Sequence, residues 1–262
     1  MIAAVLTAAG FILFGILNGG SFSQYDGENA FLPAHWVHRF DWTMAIVLVI
    51  LLGINVIRMW RFVMRGSGAG IGSYIAALPQ LPYHFFTQMK MRQCERKSPW
   101  AVHLALMLSY VTMLVLIMFF LYRMQSGPAI DWRVHAFGYL ASIGLIAAVI
   151  INLRGRIKKD SPQHQHSHES DWMFLYLLLW VAVTGVLQNV LHRSGLDEAA
   201  NAMYIIHLMG VVPMLVLEVP FGKWAHLAYR PLAIYFSAVK VHAEETAATR
   251  AEKARKAAAE PA

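Results

Sequence analysis

A single cysteine, Cys94, in 262 residues rules out an internal disulfide and any iron–sulfur cluster held by several cysteines of this chain. The C-x-x-C-H signature is absent, so no c-type haem attachment is expected. Charge is scarce too: 14% of residues are Asp, Glu, Lys or Arg, against about 25% in soluble domains. Acidic groups are nearly missing from the apolar blocks, apart from Glu218. That is poor material for an ion-coupled transporter, which needs polar midplane groups. No ten-residue alternating pattern suggests a membrane strand, and the first twenty residues lack a basic leader, so a retained span is expected there rather than a cleaved signal.

What is present is apolar bulk. Hydrophobic residues make up 58% of the chain and fall in blocks of about twenty, the length that crosses a bilayer as helix. About six spans are predicted, near 1–18, 41–60, 100–122, 133–152, 171–191 and 203–220. They should be helices, because lipid leaves no partner for free backbone amides. The fold class expected is therefore all-α, a polytopic transmembrane bundle. Lys and Arg concentrate between Arg58 and Lys97, in "NLRGRIKKD" and after Phe221; only Arg39, Arg123, Arg133 and Arg193 lie elsewhere. By the positive-inside rule both termini and these basic segments are cytoplasmic, in a cell's inner membrane. The net charge of +7 then reflects topology and attraction to anionic lipid, and calls for no nucleic acid.

The expected organisation is two N-terminal helices (1–60), a cytoplasmic or interfacial loop (61–99), a four-helix domain (100–236) and a polar tail (237–262). The outer loop "SFSQYDGENAFLPAHWVHRFDW" carries Tyr25, Trp36 and Trp42, suited to an interface. "IGSYIAALPQLPYHFFTQMKMRQCERK" is apolar but broken by two prolines, so it lies in the interface as short helices or docks a partner. "SPQHQHSHES" offers alternating histidines, a metal-capable pattern that reads more simply as a solvated loop. The tail "HAEETAATRAEKARKAAAE" favours helix but has no apolar face, so it should be exposed unless a partner covers it.

Ionisable groups inside spans are costly and point to function. His103 in "SPWAVHLALML" and His226 lie toward the cytoplasmic ends of their spans; His135 in "DWRVHAFGYL" and His207 in "AMYIIHLMG" lie about one turn inside the outer ends. They pair by depth: His103 with His226 inside, His135 with His207 outside. Two imidazoles from two helices at one depth are what a six-coordinate b-type haem requires. His135 is followed by Gly138 and His207 by Gly210, each at i+3, where a missing side chain lets a flat ligand approach. Arg133 outside, and Lys223 and Arg230 inside, could pair with haem propionates. His207 and His226 are nineteen residues apart, roughly 28 Å and 100° on a straight helix. A kink or bulge at Pro213 or Pro220 is needed to turn both inward. His35, His38, His84, His192 and His242 read as solvated.

Over about residues 90–240 the sequence resembles the gamma-subunit family of respiratory nitrate reductase and its relatives, the membrane cytochrome b subunits of heterodisulfide reductase and of sulfite-reduction complexes. "HLALM", "VTGVLQNVLHRSG" and above all "IIHLMGVVPMLVLEVPFGKWAH" carry the resemblance. It implies a helical bundle with two b haems that exchanges electrons between the quinone pool and a cytoplasmic iron–sulfur subunit. It also implies His207 and His226 as ligands on the last helix and His103 on an earlier one. The chain departs from the nitrate reductase branch where the second outer ligand should follow ten residues after His103; Met113 stands there. His135 is assigned that role by depth, with a single haem or Met113 as axial ligand the alternatives. The mechanism implied is quinol oxidation at the outer side, with electrons crossing to the inner haem and out to the partner, or the reverse. Candidates for the quinone site are Tyr139, Arg133, Asp131 and Gln188. Two other readings are a haem b anchor of a formate dehydrogenase or hydrogenase complex, and a haem-free transporter or assembly protein with structural histidines.

Overall fold

The structure is a computed structural model that describes residues 2–18, 31, 34–93, 97–126, 132–159 and 162–259. Cys94 and Asp131 lie outside them, as do the side chains of His35, His38 and Lys223. The described residues form helices throughout: α1 (Ile2–Leu17), α2 (Ala34–Met64), α3 (Ile71–Ala77), α4 (Gln80–Thr87), α5 (Met89–Arg92), α6 (Ser98–Ser126), α7 (Trp132–Lys158), α8 (Pro162–Gln165), α9 (Glu169–Arg193), α10 (Asp197–Pro213), α11 (Val219–Phe221) and α12 (His226–Ala259). A π turn, Met214–Glu218, joins α10 to α11, and a 3₁₀ turn, Lys223–Ala225, leads into α12.

Five stretches are long and apolar enough to cross a membrane: Arg39–Met64, Ser98–Phe120, Trp132–Lys158, Glu169–Arg193 and part of Asp197–Lys256. They suggest a multi-pass membrane protein. The sixth expected span differs. Helix α1 has 16 residues, just under the roughly 17 that a perpendicular crossing needs. Its outward side chains are nonetheless apolar, with Ile2, Val5, Leu6 and Leu17 exposed.

The chain divides into two compact units. The first comprises Met1–Leu48 and Arg96–Trp224. In it α6, α7, α9 and α10 pack each on the next, and α1 packs on α10. Short links make these neighbours antiparallel. The register is readable from side chains. Ser142 Oγ of α7 donates to Met113 Sδ of α6 at 3.8 Å. Tyr139 Oη donates to Asn189 Oδ1 of α9 at 2.6 Å. Trp180 Nε1 of α9 donates to the Ile206 carbonyl of α10 at 2.8 Å. Leu145, Val149, Leu175, Leu178, Ala182 and Met214 form the buried centre. In lipid, contact of this kind rests on close packing and interhelical hydrogen bonds rather than on water exclusion.

Arg156 of α7 pairs with Asp171 of α9 at 3.4 Å and also donates to Ser167 at 2.8 Å. Asp171 in turn accepts from the His168 backbone, while the His168 ring accepts from the Ser170 amide, closing a capping box at the start of α9. The His-rich loop is therefore tied to two helices. His164 lies against Gly155, and among the described residues no group of three or more His, Cys, Asp and Glu is placed to hold a metal ion.

The second unit comprises Val49–Glu95 and Ala225–Ala262. Here α12 packs on α3 and α4. Met64, Ala77, Phe236 and Val239 are its buried centre, with Leu232, Tyr235 and Tyr74 packed around them. Residues 232, 235, 236 and 239 fall at helical spacing, so α12 has an apolar face ahead of the polar tail that starts at His242. The expected boundary at residue 237 falls inside that packed stripe. His242 also departs from its expected solvated state, with Nδ1 3.2 Å from Ser73 Oγ of α3.

Candidate functional site

His207 is the best-defined of the four histidines. It sits on α10, half-buried, against α9. Its Nδ1 lies 3.0 Å from Thr184 Oγ1. Thr184 is buried and its hydroxyl lies 2.6 Å from the Trp180 carbonyl, to which it must donate. A hydroxyl has one proton. Thr184 therefore accepts from His207 Nδ1–H, and the ring is also hydrogen-bonded to the Val181 backbone. Protein bonds of this kind are how metal-binding imidazoles are commonly oriented. Gly185 completes the seat: a Cβ there would lie 3.1 Å from His207 Cε1.

Gly210 does not leave open space beside His207. A Cβ on it would meet the Trp180 indole, 3.0 Å from Nε1, so the missing side chain admits a tryptophan of α9. Gly138 has only Leu116 nearby, at 3.7 Å.

His135 is half-buried near the start of α7, within electrostatic reach of Arg193 at the end of α9. Tyr139, one turn further in, is bonded to Asn189. His207 instead lies beside Thr184. Arg193 and Thr184 are nine residues apart, roughly 13 Å along α9. The common depth expected for His135 and His207 is thus not reproduced. Met113 falls closer. It contacts Ser142, one turn beyond Tyr139, which puts it level with the stretch of α9 between Asn189 and Thr184.

His103 is half-buried on α6 in the first unit; His226 is exposed at the start of α12 in the second. The run between His207 and His226 is not one regular helix. Pro213 and Pro220 supply no backbone N–H, and the stretch between them winds as a π turn, with the Val219 amide bonded to the Met214 carbonyl. Gly222 then breaks the helix with extended backbone, φ −97° and ψ −160°. Glu218 ends the π turn, 1% exposed, and its carbonyl accepts from the Gly222 amide at 2.9 Å. Arg133 and Arg230 are exposed, and Gln188 is half-buried.

Two features went unrecognised in the sequence. Thr184, adjacent to Gly185, is visible there only as a polar break in an apolar helix, although that break is the available signal. Tyr204, one turn before His207, is buried among Phe31, Val37 and Leu208, with a hydroxyl that has no hydrogen-bond partner among the described residues and Asp41 within electrostatic reach. The chain matches no protein-family model, no characterised protein and no solved structure.

Proposed function

We propose that this chain is a b-type cytochrome subunit, with two haems b, of a membrane electron-transfer complex, exchanging electrons between the quinone pool and a cytoplasmic iron–sulfur partner. The observation that carries this reading is the oriented imidazole: Thr184 holds His207 Nδ1 within an apolar, membrane-length stretch. Such donor chemistry fits an axial ligand to iron. Bound haem supplies one-electron transfer; the chain supplies ligation, orientation and exclusion of water. His103 and His226 are carried into the proposal as inner ligands by the sequence pattern, with Lys223 and Arg230 as counter-charges to propionates. Arg133 has that role at the outer end.

For the position opposite His207, register favours Met113 over His135. A thioether–imidazole pair is an established iron ligation and raises the potential relative to two imidazoles. Tyr204 is our α10 candidate to bond a quinone oxygen, its buried hydroxyl having no hydrogen-bond partner among the described residues. Tyr139 is less available, its proton being given to Asn189.

The test is haem retention in purified variants expressed with ample haem. His207→Ala should lose one b-haem signal while eluting as a monodisperse species. Unchanged haem content in that variant contradicts the ligand assignment. Comparing Met113→Leu with His135→Ala then identifies the opposite ligand, since only one should reproduce the loss. An anchor of a formate dehydrogenase or hydrogenase complex would share these results and differ in the subunit that co-purifies.

A further inference from the structure

The second unit contains an apolar stripe that no part of its own core covers. On α3, Ser73, Tyr74 and Ala77 face inward, toward α12 and the end of α2. Ile71 and Ile75, with Leu78 just past the helix end, recur at i, i+4 and i+7 on the opposite face and are 79%, 65% and 53% exposed. Tyr83 and Phe86 of α4 and Phe62 of α2 are exposed as well. Exposure on this scale in one short segment marks a surface with a partner.

Two observations say what that partner is. The first is depth. Trp60 Nε1 of α2 donates to the Tyr74 hydroxyl of α3 at 3.0 Å, and Met59, Val63 and Met64 belong to the same packed cluster as Tyr74 and Ala77. Helix α3 is therefore pinned beside the last turns of a membrane-length helix that ends at Met64. Those turns also hold a tryptophan and exposed arginines, the residues of a bilayer's headgroup zone. The second is charge. Arg58 and Arg61 on α2, Arg65 just past its end, and Lys90 and Arg92 on α5 are exposed and flank the stripe in sequence, whereas no acidic residue occurs between Asp41 and Glu95.

We infer that α3 and α4 form an interfacial anchor that lays Ile71, Ile75 and Leu78 into the acyl boundary of an anionic cytoplasmic leaflet, with the flanking Lys and Arg on the headgroups. Apolar burial and electrostatic attraction act together in such helices. The opposite face of the anchor carries α12, so lipid contact holds the first half of α12 at the membrane surface. This inference does not depend on haem.

The test places a nitroxide at residue 75 by Ile75→Cys in a Cys94→Ser background, with the full chain in nanodiscs of phosphatidylcholine and phosphatidylglycerol. Spin-label collision with oxygen reports lipid, and collision with a water-soluble nickel chelate reports water. A label at Glu252, exposed on α12, provides the aqueous reference. Oxygen should dominate at residue 75 by severalfold, and the label should shift toward water in pure phosphatidylcholine. Nickel accessibility equal to that at residue 252 overturns the anchor. Unchanged burial in pure phosphatidylcholine overturns the anionic-headgroup contact. Ile75→Arg, which leaves the inner face intact, should release α12 to limited proteolysis in the same discs; protection equal to wild type counts against lipid contact holding α12.

Discussion

As the proposed haem ligand, His207 needs its ring held in one orientation, and the Thr184 hydroxyl supplies one of the bonds that hold it. Thr184→Val keeps the volume, removes the acceptor for Nδ1–H and frees the ring to rotate. Loss of such a supporting bond typically lowers metal affinity about 10- to 100-fold. Titrating haem into the apo form of this variant should show that weakening, with the helix content unchanged by circular dichroism. Met113→His should convert a thioether–imidazole site to two imidazoles and lower the midpoint potential of the outer haem, read by redox titration. Tyr204→Phe should leave the haem spectrum intact and raise the KM for quinol by about tenfold, roughly the loss of one hydrogen bond. The histidines themselves were legible in the sequence, because an ionisable group in an apolar run stands out. The tautomer was not. It depends on a threonine 23 positions away, brought alongside by antiparallel packing. Gly210 shows the converse: H-x-x-G reads as room for a ligand, yet the indole of Trp180 occupies it.

At the scale of elements, each interruption has a local chemical cause. Two prolines without amide protons bracket the π turn, and Gly222 allows extended backbone after it. The sequence demanded a bulge between His207 and His226; its type and place follow from which carbonyls the prolines leave without their usual donor. Helix α12 was less legible. Its average composition is polar, and the Leu232, Tyr235, Phe236 and Val239 stripe is diluted by the long charged stretch that follows. Val239 is fully buried, so Val239→Asp should open the packing of α12 on α3 and α4 at a cost of about 3 kcal/mol. Faster proteolysis within α12 would show it. Asp171→Ala removes both a helix cap and the partner of Arg156, whose side chain is 16% exposed. A loss of about 3 kcal/mol is expected, seen as a lower melting temperature in detergent, whereas Asp171→Asn should retain part of the cap.

For the whole molecule, apolar block length was enough to read an all-α chain with several membrane-length helices, since that length follows from the bilayer as solvent. Depth pairing of histidines across helices was not readable at that resolution. His135 lies three residues into α7, but α10 starts at Asp197, ten residues before His207, and only interhelical contacts such as Tyr139 with Asn189 set the register. A reporter at Gly195, in the turn between α9 and α10 where φ is +71°, should face outward, and one after Ala259 should face the cytoplasm. Reporters on the same side would refute the topology. The central claim is ligation of haem b, so its most direct measurement is a count: a dithionite-reduced minus oxidised spectrum with a pyridine haemochrome assay on the purified chain. About two b haems per chain, falling to about one in His207→Ala, is the expected result. No haem, in material expressed with ample supply, would contradict the cytochrome reading and leave His207 a packing residue bonded to Thr184.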